Sequence, residues 1–394
     1  VSRLNSRQRF KKVVGFIHLW LGLLSGLVFF IMALTGAIYC FQPEISKLTQ
    51  PHLTVKKADR SYLPVSRLKE IAASQLPGKK PTRIIYKDRD ESVAVHFIRR
   101  GKEAYYWSVF LNPYTGEVLK VQDMDKDFFR FMLRGHMYLW LPQDIGKIVT
   151  SICMIIFAAM VISGIVLWWP RNRGARKTSF KVKWGASPKR LNYDLHNVLG
   201  FYASWVLVFI IVTGLAWSFE NVMASEYWVF SGGKTRPKPP VFKSYKNDTG
   251  DIAPQIDQVL ASATAEYPGF EHYQIRLPET DSSSYQVMMY YDEGRFTRTD
   301  NLYFNQYTGE KFKPANWGLY ADANGGERAN RMTYDIHTGG IGGLATRVLV
   351  FFTALIAASL PVTGFCIWWG KRKKPKKKIM RKESVARVES LRQA

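Results

Sequence analysis

The chain has 394 residues, 47% of them hydrophobic, and a formal charge of +25 at pH 7. Three basic clusters, at residues 1–15, 170–194 and 370–394, together hold 24 Lys or Arg and three Asp or Glu. Each abuts a long apolar run, which argues for a bilayer as the partner and against nucleic acid. Three cysteines, Cys40, Cys153 and Cys366, fall in or at the end of those runs, so no disulfide framework is implied; the absence of Cys-x-x-Cys-His excludes covalently attached c-type haem.

Four runs lack Asp, Glu, Lys and Arg, and each is at least 23 residues long: Val13–Pro43, Ile148–Pro170, Leu195–Phe219 and Val348–Gly370. That length crosses a hydrocarbon core of about 30 Å. In chain order the sequence predicts a cytoplasmic N-terminus (1–15), a first transmembrane helix (16–40) too long for a signal-peptide core, and an extracytoplasmic domain (44–144). A second transmembrane helix (147–169), a basic cytoplasmic loop (170–194) and a third transmembrane helix (195–219) follow. Then come a second extracytoplasmic domain (220–344), a fourth transmembrane helix (347–369) and a basic cytoplasmic tail (370–394). The basic clusters put both termini and the central loop in the cytoplasm. The fold class expected is membrane α+β, four transmembrane helices in two parallel repeats with an α+β domain outside in each.

The first outer segment predicts a helix over Val65–Pro77, strands at Thr82–Tyr86, Ser92–Ile98 and Tyr105–Leu111, and the turn Asn112-Pro-Tyr-Thr-Gly116-Glu117. The second predicts a helix over Ile256–Tyr267, strands at His272–Leu277, Tyr285–Tyr291 and Thr297–Phe304, and the turn Asn305-Gln-Tyr-Thr-Gly309-Glu310. Thr-Gly is good turn chemistry anywhere; its recurrence at one place in each segment suggests duplication.

The spans match as well. His18-Leu-Trp-Leu-Gly22 precedes Thr35-Gly36 at the same spacing as His196-Asn-Val-Leu-Gly200 precedes Thr213-Gly214. Ser163-Gly164 and Trp168-Trp169 end the second span, and Thr363-Gly364 and Trp368-Trp369 end the fourth. The tryptophans read as interfacial anchors, and Gly36, Gly164, Gly214 and Gly364 as places where a helix or a flat cofactor approaches closely. The halves enter from one side, which predicts a pseudo-twofold axis along the membrane normal.

An ionisable side chain in a span is costly and functional by default. His18 and His196 occupy equivalent positions at the cytoplasmic ends of spans one and three; His136 and His337 lie before spans two and four, in segments expected to be interfacial helices or turns. His52, His96 and His272 have no repeat partner and read as surface or strand residues. A single histidine reads more simply as an interfacial hydrogen-bonding group. Two symmetric pairs point to iron ligation, His18 with His196 and His136 with His337, holding two noncovalent haems stacked along the membrane normal. For His136 a different partner, or substrate binding, stays open. Zinc needs three or four ligands together, and these histidines are split between membrane faces.

These motifs (His18-x-x-x-Gly22 with Thr35-Gly36, Asn112-Pro-Tyr-Thr-Gly116-Glu117, Gly164 with Trp168-Trp169-Pro170, and their second-half counterparts) resemble the PepSY-associated transmembrane proteins of the bacterial inner membrane, and among them the siderophore-iron reductases. The resemblance covers about residues 10–370. It implies two haem b groups, two periplasmic PepSY-like domains, bis-histidine ligation carried to His18, His196, His136 and His337, and reduction of ferric siderophores to release Fe(II).

The expected mechanism passes electrons from the cytoplasmic face to an Fe(III) chelate outside, with no protein nucleophile or base. Around the outer histidines, Arg134, Tyr138, Trp140, Trp317, Tyr320, Arg328, Arg331 and Tyr334 read equally as substrate contacts or as packing. Some relatives carry a C-terminal flavoprotein reductase; here the segment after Gly370 reads only as a basic tail, and no Gly-x-Gly-x-x-Gly follows a strand. The expected donor is therefore a cytoplasmic reductase or quinol. The alternatives are a non-enzymatic PepSY-domain regulator, which leaves the four histidines unexplained, and an iron or siderophore transporter, for which the spans lack matched mid-span breaks.

Overall fold

A computed structural model describes residues 6–101, 103–170, 172–246, 256–292 and 294–372. Most of the expected basic tail (370–394) and the first five residues of the expected N-terminus lie outside them. The elements run α1 (Ser6–Tyr39), α2 (Gln42–Thr49), α3 (Val65–Gln75), β1 (Arg83–Tyr86), β2 (Val93–Arg99), β3 (Tyr105–Leu111), β4 (Val118–Asp123), α4 (Phe128–Tyr138) and α5 (Gln143–Trp168). After α6 (Arg173–Ser179) and α7 (Pro188–Asp194) comes a π-helical turn, Leu195–Leu199, and then α8 (Gly200–Ser218), α9 (Glu220–Phe230), α10 (Ile256–Glu266), β5 (His272–Arg276), β6 (Tyr285–Tyr290), β7 (Thr299–Phe304), β8 (Lys311–Phe312), α11 (Gly325–Thr338) and α12 (Gly343–Arg372).

Four helical stretches, Ser6–Tyr39, Gln143–Trp168, Pro188–Ser218 and Gly340–Arg372, are long and apolar enough to cross a membrane. The first begins before its apolar run because Arg and Lys are good helix formers and their stems lie along apolar surface. Pro361 sits inside α12; spans tolerate such a break where neighbours satisfy the freed carbonyl.

The chain divides into two compact units. The first comprises Val1–Phe30, Ile156–Trp205 and Ile356–Ala394. Its contacts are aromatic: Phe29 meets Phe157 at 4.9 Å, and Trp168 stacks on Phe201 at 3.6 Å. Trp168 also donates to the Ser179 carbonyl at 3.2 Å. It is thus a packing residue within this unit as well as an aromatic at a helix end.

The second unit comprises Ile31–Ile155 and Val206–Leu355 and holds one eight-stranded antiparallel sheet, ordered β4-β3-β2-β1-β5-β6-β7-β8. Residues 65–123 and 256–312 each contribute a helix and then a four-stranded meander. The meanders join edge to edge, with Arg83, Ile84, Ile85 and Tyr86 opposite Arg276, Ile275, Gln274 and Tyr273. Period-two alternation makes one face apolar. On that face Ile84, Val95, Phe97, Leu111, Ile275, Val287, Met289 and Phe304 form a single core with Leu68 and Ala72 of α3 and Ile256, Val259 and Ala263 of α10. Tyr86 stacks on Tyr273 at 4.7 Å across the junction.

The repeated turn closes β3–β4 and β7–β8 with one set of bonds. Asn112 Oδ1 accepts from Tyr114 N (3.0 Å) and Asn305 Oδ1 from Tyr307 N (2.9 Å). Gly116 and Gly309 adopt φ of 74° and 69°, a region that side chains avoid. Each turn's tyrosine hydroxyl reaches a loop carbonyl, Tyr114 to Arg89 at 2.7 Å and Tyr307 to Asp281 at 2.9 Å. The motif is structural: it locks each hairpin to the preceding loop.

The opposite face of the sheet is polar. There His96 is buried, and its Nδ1 lies 2.6 Å from Ser108 Oγ. Burial, and then the nearby cations Arg83, Lys87 and Arg130, push its pKa down to about 3. In the unfolded chain it titrates near 6.5. The unfolded state therefore takes up a proton that the folded state refuses. The resulting stability is complete above pH 6.5 and is lost as pH falls toward 3, by up to about 1.4 kcal/mol per pH unit. Thermal unfolding of the sheet, followed by circular dichroism in detergent, is expected to move to lower temperature between pH 7 and pH 5. His96→Asn should flatten that dependence.

Candidate functional site

The four repeated histidines meet in two pairs, one in each unit. In the first unit the rings of His18 and His196 meet with centroids 6.5 Å apart and planes 88° apart. In the second, His136 and His337 do so at 6.2 Å and 66°. A metal–imidazole bond is about 2 Å, so two such bonds in line place ring centroids roughly 6 Å apart.

Each ring is oriented through Nδ1. In α1, His18 Nδ1 lies 2.8 Å from Ser163 Oγ, which itself donates to the Ala159 carbonyl at 2.7 Å. His196, in the π-helical turn, lies 2.9 Å from Thr363 Oγ1, which donates to the Ser359 carbonyl at 2.9 Å. With each hydroxyl proton so engaged, the imidazole is the donor. His136, on α4, donates to the Met32 carbonyl at 2.7 Å. His337, on α11, faces the Ile210 carbonyl at 3.1 Å and Thr213 Oγ1 at 3.0 Å. In a neutral imidazole a proton on Nδ1 leaves the lone pair on Nε2, and a carbonyl or hydroxyl behind Nδ1 is the usual support for a metal-ligating histidine. Among the described residues none of the four Nε2 atoms has a hydrogen-bond partner.

Four Ser/Thr-Gly pairs make room for the rings. A Cβ on Gly36 would sit 3.0 Å from His136 Cε1 and Nδ1, and one on Gly364 3.2 Å from His196 Cε1. On Gly214 it would lie 3.4 Å from His337 Cε1, and on Gly164 3.5 Å from His18 Cε1. Each glycine lets a helix backbone pass against the edge of one imidazole.

The helices α4 and α11, outside the spans, hold the outer pair firmly. Asp127 caps α4 by accepting from Arg130 N at 2.9 Å, and Asn324 caps α11 by accepting from Glu327 N at 3.0 Å. Burial keeps His136 below its ordinary pKa; burial and then His136 lower His337 to about 4. Both are neutral at physiological pH, the state in which imidazole binds a metal.

The flanking candidates divide. Arg331 is packed among backbone carbonyls: it donates to Thr299 O and, at 3.1 Å, to Gly318 O, and it lies 3.7 Å from Glu327. Trp317 donates to the Pro237 carbonyl at 3.0 Å. Tyr320 lies 5.3 Å under the Arg328 guanidinium, and Arg134 lies 3.8 Å from Asp125. Tyr138 hydroxyl accepts from Gln143 at 3.3 Å, while Trp140 stacks on Phe131 at 5.1 Å. Of this group Tyr334 is tied by ring contacts to the histidines: its ring lies 5.9 Å from Trp217, which is 5.0 Å from His337. Trp217 escaped sequence reasoning; its signal was a tryptophan three residues past Thr213-Gly214.

The four apolar helices with one antiparallel sheet define a membrane α+β protein. The chain belongs to the PepSY-associated TM region family, whose model matches residues 16–371. No curated protein matches it.

Proposed function

We propose that this chain is a dihaem b electron-transfer protein of the bacterial inner membrane that reduces ferric siderophores on the periplasmic side and releases Fe(II). One observation carries the reading: two imidazole pairs with ring centroids 6.5 and 6.2 Å apart, planes inclined at 88° and 66°, every ring oriented through Nδ1. The donor set fits haem b. Two neutral nitrogens per site, a glycine beside each ring and aromatic surroundings suit a bis-histidine noncovalent group. His18 with His196 would hold one, and His136 with His337 the other.

The group supplies reversible one-electron exchange. The protein's part is to fix the rings, donate from Nδ1 to oxygen so that Nε2 is electron-rich, and keep water away. Siderophores hold Fe(III) through hard oxygen donors and Fe(II) far more weakly, so one electron turns a tight chelate into a labile one. The reading adopts the positive-inside topology, with cytoplasmic termini and central loop. It also takes the two halves as parallel repeats, their outer segments as PepSY-like periplasmic domains, and a cytoplasmic reductase or quinol as donor.

Protein purified from haem-replete cells is expected to be red, with two haem b per chain by pyridine haemochrome and a Soret band that shifts with dithionite. His18→Ala or His196→Ala should each remove about one haem and spare the other. Release of Fe(II) from a ferric siderophore should be readable with a ferrous-specific chromogenic chelator. A colourless protein would overturn the reading.

A further inference from the structure

The polar face of the sheet carries a row of residues that pair directly across strands. Ser108 stands opposite His96, His96 opposite Arg83, Arg83 opposite Arg276, Arg276 opposite Gln286, and Gln286 opposite Tyr303. At its centre, where β1 meets β5, two guanidinium groups are cross-strand neighbours. Directly opposed side chains have Cβ atoms about 5 Å apart, and like charges there are destabilising. Among the described residues neither the Arg83 nor the Arg276 guanidinium has an ion-pair partner or a hydrogen bond. Arg83 Nε is buried and unsatisfied. A fold that carries this cost without a carboxylate has left a bidentate donor array for an anion.

The same face reaches both helices of the outer histidine pair. Arg130 of α4 lies 4.3 Å over the Tyr106 ring, which is 5.3 Å from His96. Tyr334 of α11 lies 4.7 Å from Phe296, and Phe296 lies 5.3 Å from Tyr290 on this face.

We infer that the Arg83–Arg276 junction binds the negatively charged oxygens of an anionic iron chelate of the catecholate type, whose high negative charge matches two guanidinium groups with no carboxylate between them. The anion site stands on the arginines; that its occupant is an iron chelate rests on the reductase reading.

The test uses full-length protein in zwitterionic nanodiscs and gallium(III) chelates, which take up no electron and so report binding alone. A gallium tris-catecholate is expected to bind, and more weakly as salt rises. Arg276→Gln, at an exposed position, should weaken it about tenfold or more, and Arg83→Gln likewise. A neutral gallium trihydroxamate should bind poorly to all three proteins. Equal binding of both chelates, or unchanged binding by Arg276→Gln, would overturn the inference. So would loss of tris-catecholate binding on moving the wild type, but not Arg276→Gln, into phosphatidylglycerol nanodiscs; a lipid headgroup would then be the occupant. Colourless protein that binds the gallium catecholate through Arg276 would refute the reductase reading and leave the anion site standing.

Discussion

Alanine at His136 or His337 is expected to abolish delivery of electrons to a ferric siderophore while the Soret band of the remaining haem still shifts with dithionite and returns in air. The two imidazoles lie 6.2 Å apart with planes inclined at 66°, and each is backed by a carbonyl oxygen on another helix, of Met32 or Ile210. Removing one ring leaves its partner without an opposing ligand. Changing a group that only hydrogen-bonds a metal ligand typically costs about 10–100-fold, so loss of a ligand itself should cost about a hundredfold or more in siderophore reduction. Spectroscopy should show about one haem b per chain instead of two, with the remaining Soret band unshifted. Stopped-flow mixing of the reduced variant with ferric siderophore is the decisive measurement. A normal rate would remove the outer pair from the electron path.

The second large effect is on stability. Asp335 is fully buried two residues before His337 and has no counter-cation among the described residues. Its carboxylate accepts from Phe296 N (3.0 Å), Thr297 N (2.7 Å) and Thr297 Oγ1. These bonds tie α11 to the loop before β7. Asp335→Ala removes a buried carboxylate that accepts from two backbone N–H groups and a hydroxyl; hydrogen bonds to a charged group contribute about 1.5–3 kcal/mol, and water reaches the half-exposed donors, so a loss of about 2–3 kcal/mol is expected. Denaturant unfolding of the detergent-solubilised protein should register it, and the haem at the outer pair should loosen with it. Asp335→Asn restores one acceptor oxygen but points an amide N–H toward the remaining donors, and should recover only part.

How much of this the chain disclosed depends on the range of the forces involved. The four spans are legible because a run without Asp, Glu, Lys or Arg is a local property. The helices α3 and α10 and six of the eight strands follow from periodicity. Strand β4, Val118–Asp123, is too polar to signal itself, and β8 has only two residues. The helical form of α4 and α11 depends on caps and on neighbours. Nothing in the four residues of β1 and the five of β5 announces that they pair, since that choice is made by residues far apart in sequence. At the candidate site, the pairing of His18 with His196 and of His136 with His337 follows from their repeated positions. The hydroxyls of Ser163, Thr213 and Thr363 were visible only as small residues before glycine. The Met32 and Ile210 carbonyls carry no side-chain signal at all, and the π-helical turn around His196 leaves none in the pattern.

The pairing of β1 with β5 also governs biosynthesis. Until β5 has been translated, β1 presents a bare strand edge with Tyr86 uncovered, a template for pairing with any other extended chain. At about 5–20 residues per second the wait is on the order of tens of seconds. For the same reason, two separately expressed halves would find each other through this seam.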